Sequence, residues 1–322
     1  MSEPLESDPS LLVVILDVNG WAWTQSPLTI DNALQQMIIF INAYLALKPE
    51  NKLVVLASNK RECKCLYPAD RNQAPIERDI RIYEQFRVVD ATVLSGVQAM
   101  LSDAAATMIE GEEDEEGQTL MSRALSKALC HIHRVEAESS AAVKVWSRIL
   151  VISAADDSPR EYIALMNTIF AAQRMGVLID ICKVSGKSDS VFLQQAAEIT
   201  GGNYLKVDTT RGGGESMLQT LMFTCLADHY TREVLVSPTS ETIDFRATCF
   251  CHKRIVDIGF VCSVCLSIFC ELTPVCSTCQ TKFSFRVARA DSAAPHQAVN
   301  GSLKQSPKPA AATAAMSTLT LS

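Results

Sequence analysis

The sequence has no hydrophobic run long enough to cross a membrane, since no stretch approaches ~18 consecutive apolar residues. The first apolar run, residues 11–16, follows a polar, acidic start without basic residues and ends at Asp17. We therefore expect no secretory signal peptide. Five of the cysteines are scattered among apolar neighbours, as buried thiols are in a reducing, intracellular protein: Cys63, Cys65, Cys130, Cys182 and Cys225.

The sequence also lacks a recognisable catalytic motif. Its five histidines stand in no nucleophile or metal-hydrolase motif. Three glycines at 212–214 precede a helical segment, but the Gly-Lys-Ser/Thr ending of a phosphate-binding loop does not follow them. We interpret these glycines as a flexible connector and expect no enzymatic activity.

Positive charge is not in excess either. The formal net charge of −7 gives no reason to expect the whole chain to bind nucleic acid. Residues 110–116 contain six acidic side chains out of seven, and we interpret them as a solvated loop because like charges repel one another and resist packing.

Cysteine, in contrast, is concentrated near the C-terminus, where seven of the twelve lie between Cys249 and Cys279. Four of them form two Cys-x-x-Cys pairs with ten residues between the pairs: Cys262, Cys265, Cys276 and Cys279. Two such pairs facing each other complete the tetrahedral thiolate shell that Zn²⁺ prefers and leave no position for water. We expect one structural zinc ion here, the alternative being a disulfide cluster in an oxidising compartment.

Four further ligand-type residues surround this set: Cys249, Cys251, His252 and Cys270. They offer the donors for a second zinc site, but Cys-x-Cys-His is a less usual spacing than Cys-x-x-Cys. One zinc is therefore the expectation and two the alternative. A zinc-ribbon-like module of this size needs metal for much of its folding free energy.

Strand and helix signals alternate through the first 235 residues. Short apolar runs predict strands over residues 11–16, 52–58, 64–67, 148–153, 177–184 and 203–207. Helical periodicity predicts helices over residues 27–47, 88–100, 118–133, 159–175, 190–200 and 214–228. This alternation indicates an α/β fold with a doubly wound, mostly parallel sheet.

The first predicted strand ends at Asp17, which Asn19 and Trp21 follow at every second position. This order resembles von Willebrand factor A-type domains, in which Asp-x-Ser-x-Ser binds Mg²⁺ at that point. Asp17 matches, but an indole offers no oxygen to Mg²⁺. We therefore expect a degenerate metal motif in which Asp17 caps backbone amides, with Asp156 the one further carboxylate that could lie opposite. Trp21 and Trp23 at this edge either pack in the core or face a partner.

An A-type domain with a degenerate motif, followed by Cys-Phe-Cys-His, Gly-Phe-Val-Cys-Ser-Val-Cys-Leu-Ser-Ile-Phe-Cys and Pro-Val-Cys-Ser-Thr-Cys, resembles the p34 (Tfb4-type) subunits of general transcription factor IIH. The resemblance covers about residues 9–287. It implies a non-catalytic subunit of the core complex that pairs with a p44-type subunit. It also implies action in the nucleus, in RNA polymerase II transcription initiation and nucleotide excision repair. The family's four-cysteine zinc finger falls on Cys262, Cys265, Cys276 and Cys279.

We predict five segments along the chain: a disordered tail over 1–8, the von Willebrand factor A-like domain over 9–235, a linker over 236–247, the four-cysteine zinc module over 248–287 and a disordered tail over 288–322. The alternative function is an independent nucleic-acid-binding zinc protein. That function needs a stronger basic patch than the five Lys/Arg against two acidic residues between positions 249 and 290.

Overall fold

A computed structural model describes residues 9–68, 82–108, 119–139, 145–158, 161–184, 189–207, 216–236, 245–252, 254–265 and 267–283. The chain divides into two compact units, Met1–Phe245 and Arg246–Ser322. The acidic run, the three glycines and both terminal tails lie outside the described residues, so their interpretations stay predictions. The segment boundaries stay predictions as well.

The first unit is built on a six-stranded sheet with the order β3-β2-β1-β4-β5-β6. Its strands are β1 (Ser10–Asp17), β2 (Lys52–Ser58), β3 (Cys63–Tyr67), β4 (Trp146–Ser153), β5 (Leu178–Lys183) and β6 (Tyr204–Lys206). β3 pairs antiparallel with β2, and the other neighbours are parallel. Every residue of β1 is buried, as expected for a strand covered on both faces. The predicted doubly wound, mostly parallel sheet is confirmed.

Helices cover both faces of this sheet. They are α1 (Gly20–Thr24), α2 (Ile30–Leu47), α3 (Ile82–Met108), α4 (Met121–Glu138), α5 (Tyr162–Met175), α6 (Val191–Thr200), α7 (Ser216–Thr220) and α8 (His229–Val234). Successive side chains of a strand point to opposite faces, so alternate residues of β1 enter two separate cores. The core that contains Leu12 also takes side chains of α2, α3 and α7, and the core that contains Leu11 takes side chains of α4, α5 and α6.

The helix boundaries differ from the sequence prediction in three places. The short helix α1 was not predicted, because a five-residue segment shows no helical periodicity. Helix α3 extends well beyond the predicted 88–100 at both ends. The single helix predicted over 214–228 is wrong: α7 continues into a π-helical turn, Leu221–Cys225, and α8 follows. Asp228 ends the first segment by capping α8, since its carboxylate accepts a hydrogen bond from the Thr231 amide at 2.9 Å.

The second unit consists of short antiparallel pairs. Two form from β7 (Ala247–Thr248) with β8 (Ile255–Val256) and from β9 (Phe260–Val261) with β10 (Ile268–Phe269). A single bridge joins Val275 to Lys282. Ala247, the last residue of the predicted linker, lies in β7. Only Cys262, Phe269 and Cys276 form its buried hydrophobic cluster among the described residues. A core of this size is too small to stabilise the unit by apolar burial.

The expectation of buried thiols holds for only part of the set. Cys182 and Cys225 are buried, whereas Cys63 and Cys65 are half-buried and Cys130 is exposed on α4. Burial raises the pKa of the Cys225 thiol to about 12, so it remains protonated. Among the described residues, no helix is both long and apolar enough to cross a membrane.

Candidate metal centre

Three turns of the second unit begin at a cysteine and share one backbone geometry. The turns begin at Cys249, Cys262 and Cys276. In each, the residue before the cysteine pairs with the residue six positions after the cysteine. In each, the cysteine amide also donates to the carbonyl five positions later, at 2.9 Å. The second unit therefore contains three turns of the same backbone geometry, and each turn begins at a cysteine.

The second and third turns bring the two Cys-x-x-Cys pairs together. The ligand atoms of Cys262, Cys265, Cys276 and Cys279 all lie within 4.8 Å of one another. The Cys262 and Cys279 sulfurs are 3.7 Å apart, and the Cys265 and Cys276 sulfurs are 3.6 Å apart. Tetrahedral ligands at the usual Zn–S distance stand about 3.8 Å from each other. A disulfide requires about 2.05 Å, and all four cysteines are free. The donor set and its spacing fit a tetrahedral metal ion.

Neighbouring polar groups favour the thiolate form that a metal requires. The Thr281 hydroxyl lies 3.1 Å from the Cys279 sulfur, and this hydrogen bond lowers the pKa of the thiol to about 6. The Cys279 amide also donates to the Cys276 sulfur at 3.5 Å, but burial outweighs this hydrogen bond and raises the pKa of the Cys276 thiol to about 11. The side chains of Cys262 and Cys276 are buried, so the cluster is closed on one side by the protein.

The first turn brings the other four ligand-type residues together as well. The ligand atoms of Cys249, Cys251, His252 and Cys270 lie within 4.8 Å of one another. The spacing of these residues explains why the sequence indicated this second metal site less strongly than the first. We interpreted this segment as Cys-x-Cys-His, whereas the turn aligns His252 with the second cysteine of each Cys-x-x-Cys pair, three positions after its first cysteine. The signal available in the sequence was the spacing Cys-x-x-His.

The edge of the large sheet is a second place where the sequence suggested metal binding. The Asp17 carboxylate lies there at the end of β1, fully buried, and accepts four hydrogen bonds. The donors are the Asn19 amide at 3.1 Å, the Thr119 hydroxyl at 2.7 Å, the Ser153 hydroxyl at 3.1 Å and the Ala155 amide at 2.9 Å. Asp17 therefore caps the loops at this edge, as its degenerate motif suggested.

A lysine side chain interacts electrostatically with this carboxylate. Lys183, at the end of β5, is fully buried and donates to the carbonyls of Ala154, at 3.3 Å, and Ala155. Burial lowers the pKa of Lys183, while the charges of Asp156 and Asp157 oppose that shift. The protein thus places a basic side chain of its own beside these carboxylates. The cavity at this edge measures about 20 Å³, room for a water molecule and far too little for a metabolite.

The two tryptophans at the edge have different environments. The Trp23 side chain is buried, and its indole N–H donates to the Asp17 carbonyl at 2.7 Å. The Trp21 side chain is 48% exposed. The core interpretation therefore holds for Trp23, while Trp21 remains available to a partner.

Comparison with known proteins places both units in one family. The family model described as transcription factor Tfb4 matches residues 9–280. The chain belongs to the Tfb4 family. The tfb4 subunit of general transcription and DNA repair factor IIH from Schizosaccharomyces pombe is 40% identical over 291 residues, 88% of this chain and 92% of that protein. Its TFB4 counterpart from Arabidopsis thaliana is 36% identical and covers 88% of this chain and 91% of its own length.

A solved structure supports the same assignment for the first unit. The crystal structure of the TFIIH p34 N-terminal domain is 31% identical to this Tfb4-family chain, with a TM-score of 0.55. The match covers 67% of this chain and 97% of the p34 domain. The von Willebrand factor A-like fold expected from the sequence is confirmed.

Proposed function

We propose that this Tfb4-family chain is a non-catalytic subunit of the transcription factor IIH core, acting in the nucleus in RNA polymerase II transcription and nucleotide excision repair. It acts by binding, with a p44-type subunit as its direct partner. The names of its relatives support the assignment to transcription and DNA repair. The zinc ion held by Cys262, Cys265, Cys276 and Cys279 maintains the fold of the small unit and takes no part in chemistry, because four thiolates close its shell.

The binding role is proposed because the first unit, Met1–Phe245, has an apolar groove on its surface. We call this unit the A-like unit, after its von Willebrand factor A-like fold. The groove lies between the end of α2, the π-helical turn and α8, and has a volume of about 380 Å³. Phe223 in this groove is 81% exposed, and Leu47 and Leu235 beside it are more than half exposed. An exposed cluster of large apolar side chains marks a site of protein–protein contact.

Polar side chains also line the groove, with Lys48 and Asp228 partly exposed and Arg148 buried. Lys48 and Asp228 form an ion pair at 3.0 Å. The guanidinium of Arg148 donates to the Ala227 carbonyl at 2.6 Å. An apolar centre with a polar rim is the usual anatomy of a stable interface. We therefore assign the groove to the p44-type partner.

Co-expression of the tagged full chain with the p44-type subunit tests this proposal. Phe223→Asp should weaken the pair by about 2 kcal/mol or more, roughly 30-fold in affinity, if this phenylalanine is a central contact. Phe170→Asp is the matched control, because Phe170 is also exposed but lies on α5, outside the groove. Equal binding by both variants would remove the groove from the proposal.

Affinity purification of the tagged chain from nuclear extract tests the wider assignment. Recovery of transcription factor IIH subunits, without ATP hydrolysis by the isolated chain, is expected. Recovery of nucleic acid without those subunits would instead support the alternative of an independent nucleic-acid-binding zinc protein.

A further inference from the structure

We propose that Cys249, Cys251, His252 and Cys270 bind a second zinc ion, so that the small unit is a two-zinc module. This inference concerns the fold of the module and stands whether or not the chain pairs with a p44-type subunit. It revises the expectation of a single zinc site that the sequence favoured.

The distances within this set suit a small metal ion. The Cys251 and Cys270 sulfurs are 3.3 Å apart, and His252 Nδ1 lies 3.1 Å from the Cys270 sulfur. Around a tetrahedral zinc, sulfur–sulfur separations are about 3.8 Å and sulfur–nitrogen separations about 3.6 Å. A shift of about half an ångström would bring these two pairs to the tetrahedral separations, and all four ligand atoms already lie within 4.8 Å of one another.

The backbone around the set is already that of a metal-binding turn. The first turn repeats the ladder pair and the 2.9 Å amide–carbonyl bond of the two turns that hold the four-cysteine cluster. Its first residue, Cys249, is buried like Cys262 and Cys276. The Arg254 amide also donates to the Cys249 sulfur at 3.4 Å, a contact that stabilises a thiolate. Without metal, this arrangement would hold the exposed Cys251 thiol, the half-buried Cys270 thiol and the His252 imidazole together with no structural benefit.

Cys270, the fourth ligand of the proposed second site, lies on a segment that also belongs to the four-cysteine cluster. Cys270 directly follows β10, the strand that pairs with β9 around Cys262. In the sequence it lies between the two Cys-x-x-Cys pairs of the other cluster. Phe250, inside the first turn, donates its amide to the Ile268 carbonyl at 2.8 Å, and its ring lies 6.3 Å from that of Phe269. The two sites are therefore interleaved around one small core.

The chemistry of the donors indicates zinc in a structural role. Three thiolates and one neutral imidazole form a closed tetrahedral set, which binds Zn²⁺ and leaves no position for substrate. The other reaction open to this set is oxidation of Cys251 and Cys270 to a disulfide, which would consume two of the ligands.

Zinc content of the purified full chain tests the proposal directly. The wild type should contain about two zinc ions per chain, and Cys270→Ser and His252→Ala should each lower this to about one. Cys130→Ser is the matched control, because Cys130 is an exposed thiol of the first unit, and it should keep both ions. One zinc per wild-type chain, unchanged by Cys270→Ser, would overturn the proposal.

X-ray absorption at the zinc edge gives a readout that does not depend on a variant's folding. The wild type should show an average shell of about 3.5 sulfurs and about 0.5 nitrogen per zinc. His252→Cys should keep both ions and remove the nitrogen. An all-sulfur shell in the wild type, or a Cys251–Cys270 disulfide in zinc-loaded protein, would contradict a second site.

Discussion

The two units of this chain are stabilised in opposite ways. The A-like unit buries all of β1 between two apolar cores. In the described part of the small unit, three residues form the buried hydrophobic cluster, and two groups of four cysteine or histidine side chains could each hold a metal ion. Apolar burial scales with size, and a piece of about 40 residues cannot obtain enough of it. The comparison implies that the two units respond to different substitutions. Loss of a metal-ligand side chain should unfold the small unit alone, and loss of buried apolar volume should destabilise the A-like unit alone.

The largest effect should follow from removing a cluster ligand. Cys276→Ser takes away a buried sulfur of the four-cysteine set. Because structural zinc contributes on the order of 10 kcal/mol to such modules, the small unit should unfold and lose metal. Limited proteolysis should then cut the chain near residues 246–283 and leave a stable A-like fragment. A variant with full zinc content and unchanged cleavage would contradict the assignment.

Truncating the core of the A-like unit should have the reverse pattern. Phe40 on α2 is fully buried, so Phe40→Ala should cost about 3–5 kcal/mol of unfolding free energy. Zinc content should not change. Phe170→Ala, at an exposed position of α5, should cost no more than about 0.5 kcal/mol. Thermal unfolding with parallel zinc determination measures both, and zinc loss from Phe40→Ala would show that the two units are not independent.

A smaller effect is expected at the sheet edge. Asp17→Asn replaces a carboxylate oxygen by an amide that cannot accept the hydrogen bonds it receives, which should cost about 1–3 kcal/mol. Partner binding by the wild type should not respond to Mg²⁺, because the Asp17 carboxylate already accepts hydrogen bonds from four donors. Binding that EDTA abolishes and Mg²⁺ restores, with zinc content constant, would overturn this description.

The smallest effect concerns the cap of α8. Burial alone would raise the pKa of Asp228, but hydrogen bonds from Thr231 and Lys48 outweigh it and lower the pKa to about 2. A carboxyl whose folded pKa lies below its ordinary 3.8 stabilises the fold above that value. The contribution is therefore lost as the pH falls from about 4 through about 2.

Two variants separate the charge from the cap at this position. Asp228→Ala should cost about 1 kcal/mol at neutral pH. Asp228→Asn should retain the cap and lose the acid dependence. Urea unfolding at several pH values measures both, and an unchanged acid dependence in Asp228→Asn would assign it to another group.

The sequence predicted those features of the fold that local residue patterns determine, namely the buried strands and the four-cysteine cluster. The apolar runs at 11–16, 52–58 and 148–153 became β1, β2 and β4 because strands buried on both faces need continuous apolar residues. The spacing of Cys262 to Cys279 predicted a cluster that the fold does assemble.

The remaining features depend on contacts between distant segments. Lys183 ends an apolar strand, and nothing near it in sequence reveals that it reaches the carbonyls of Ala154 and Ala155. The spacing Cys-x-x-His was readable in the sequence, but the matching backbone of the three turns is what makes His252 equivalent to Cys265 and Cys279. Helix α3 extends past its periodic segment, so its ends could not be read from apolar spacing.

Hydrogen exchange on the full chain, with and without a strong zinc chelator, tests the contrast between the two units most directly. We predict that chelation removes protection from residues 246–283 while β1 and β4 keep theirs. Equal loss of protection in both units, or full protection of the small unit after all zinc has been removed, would contradict the account.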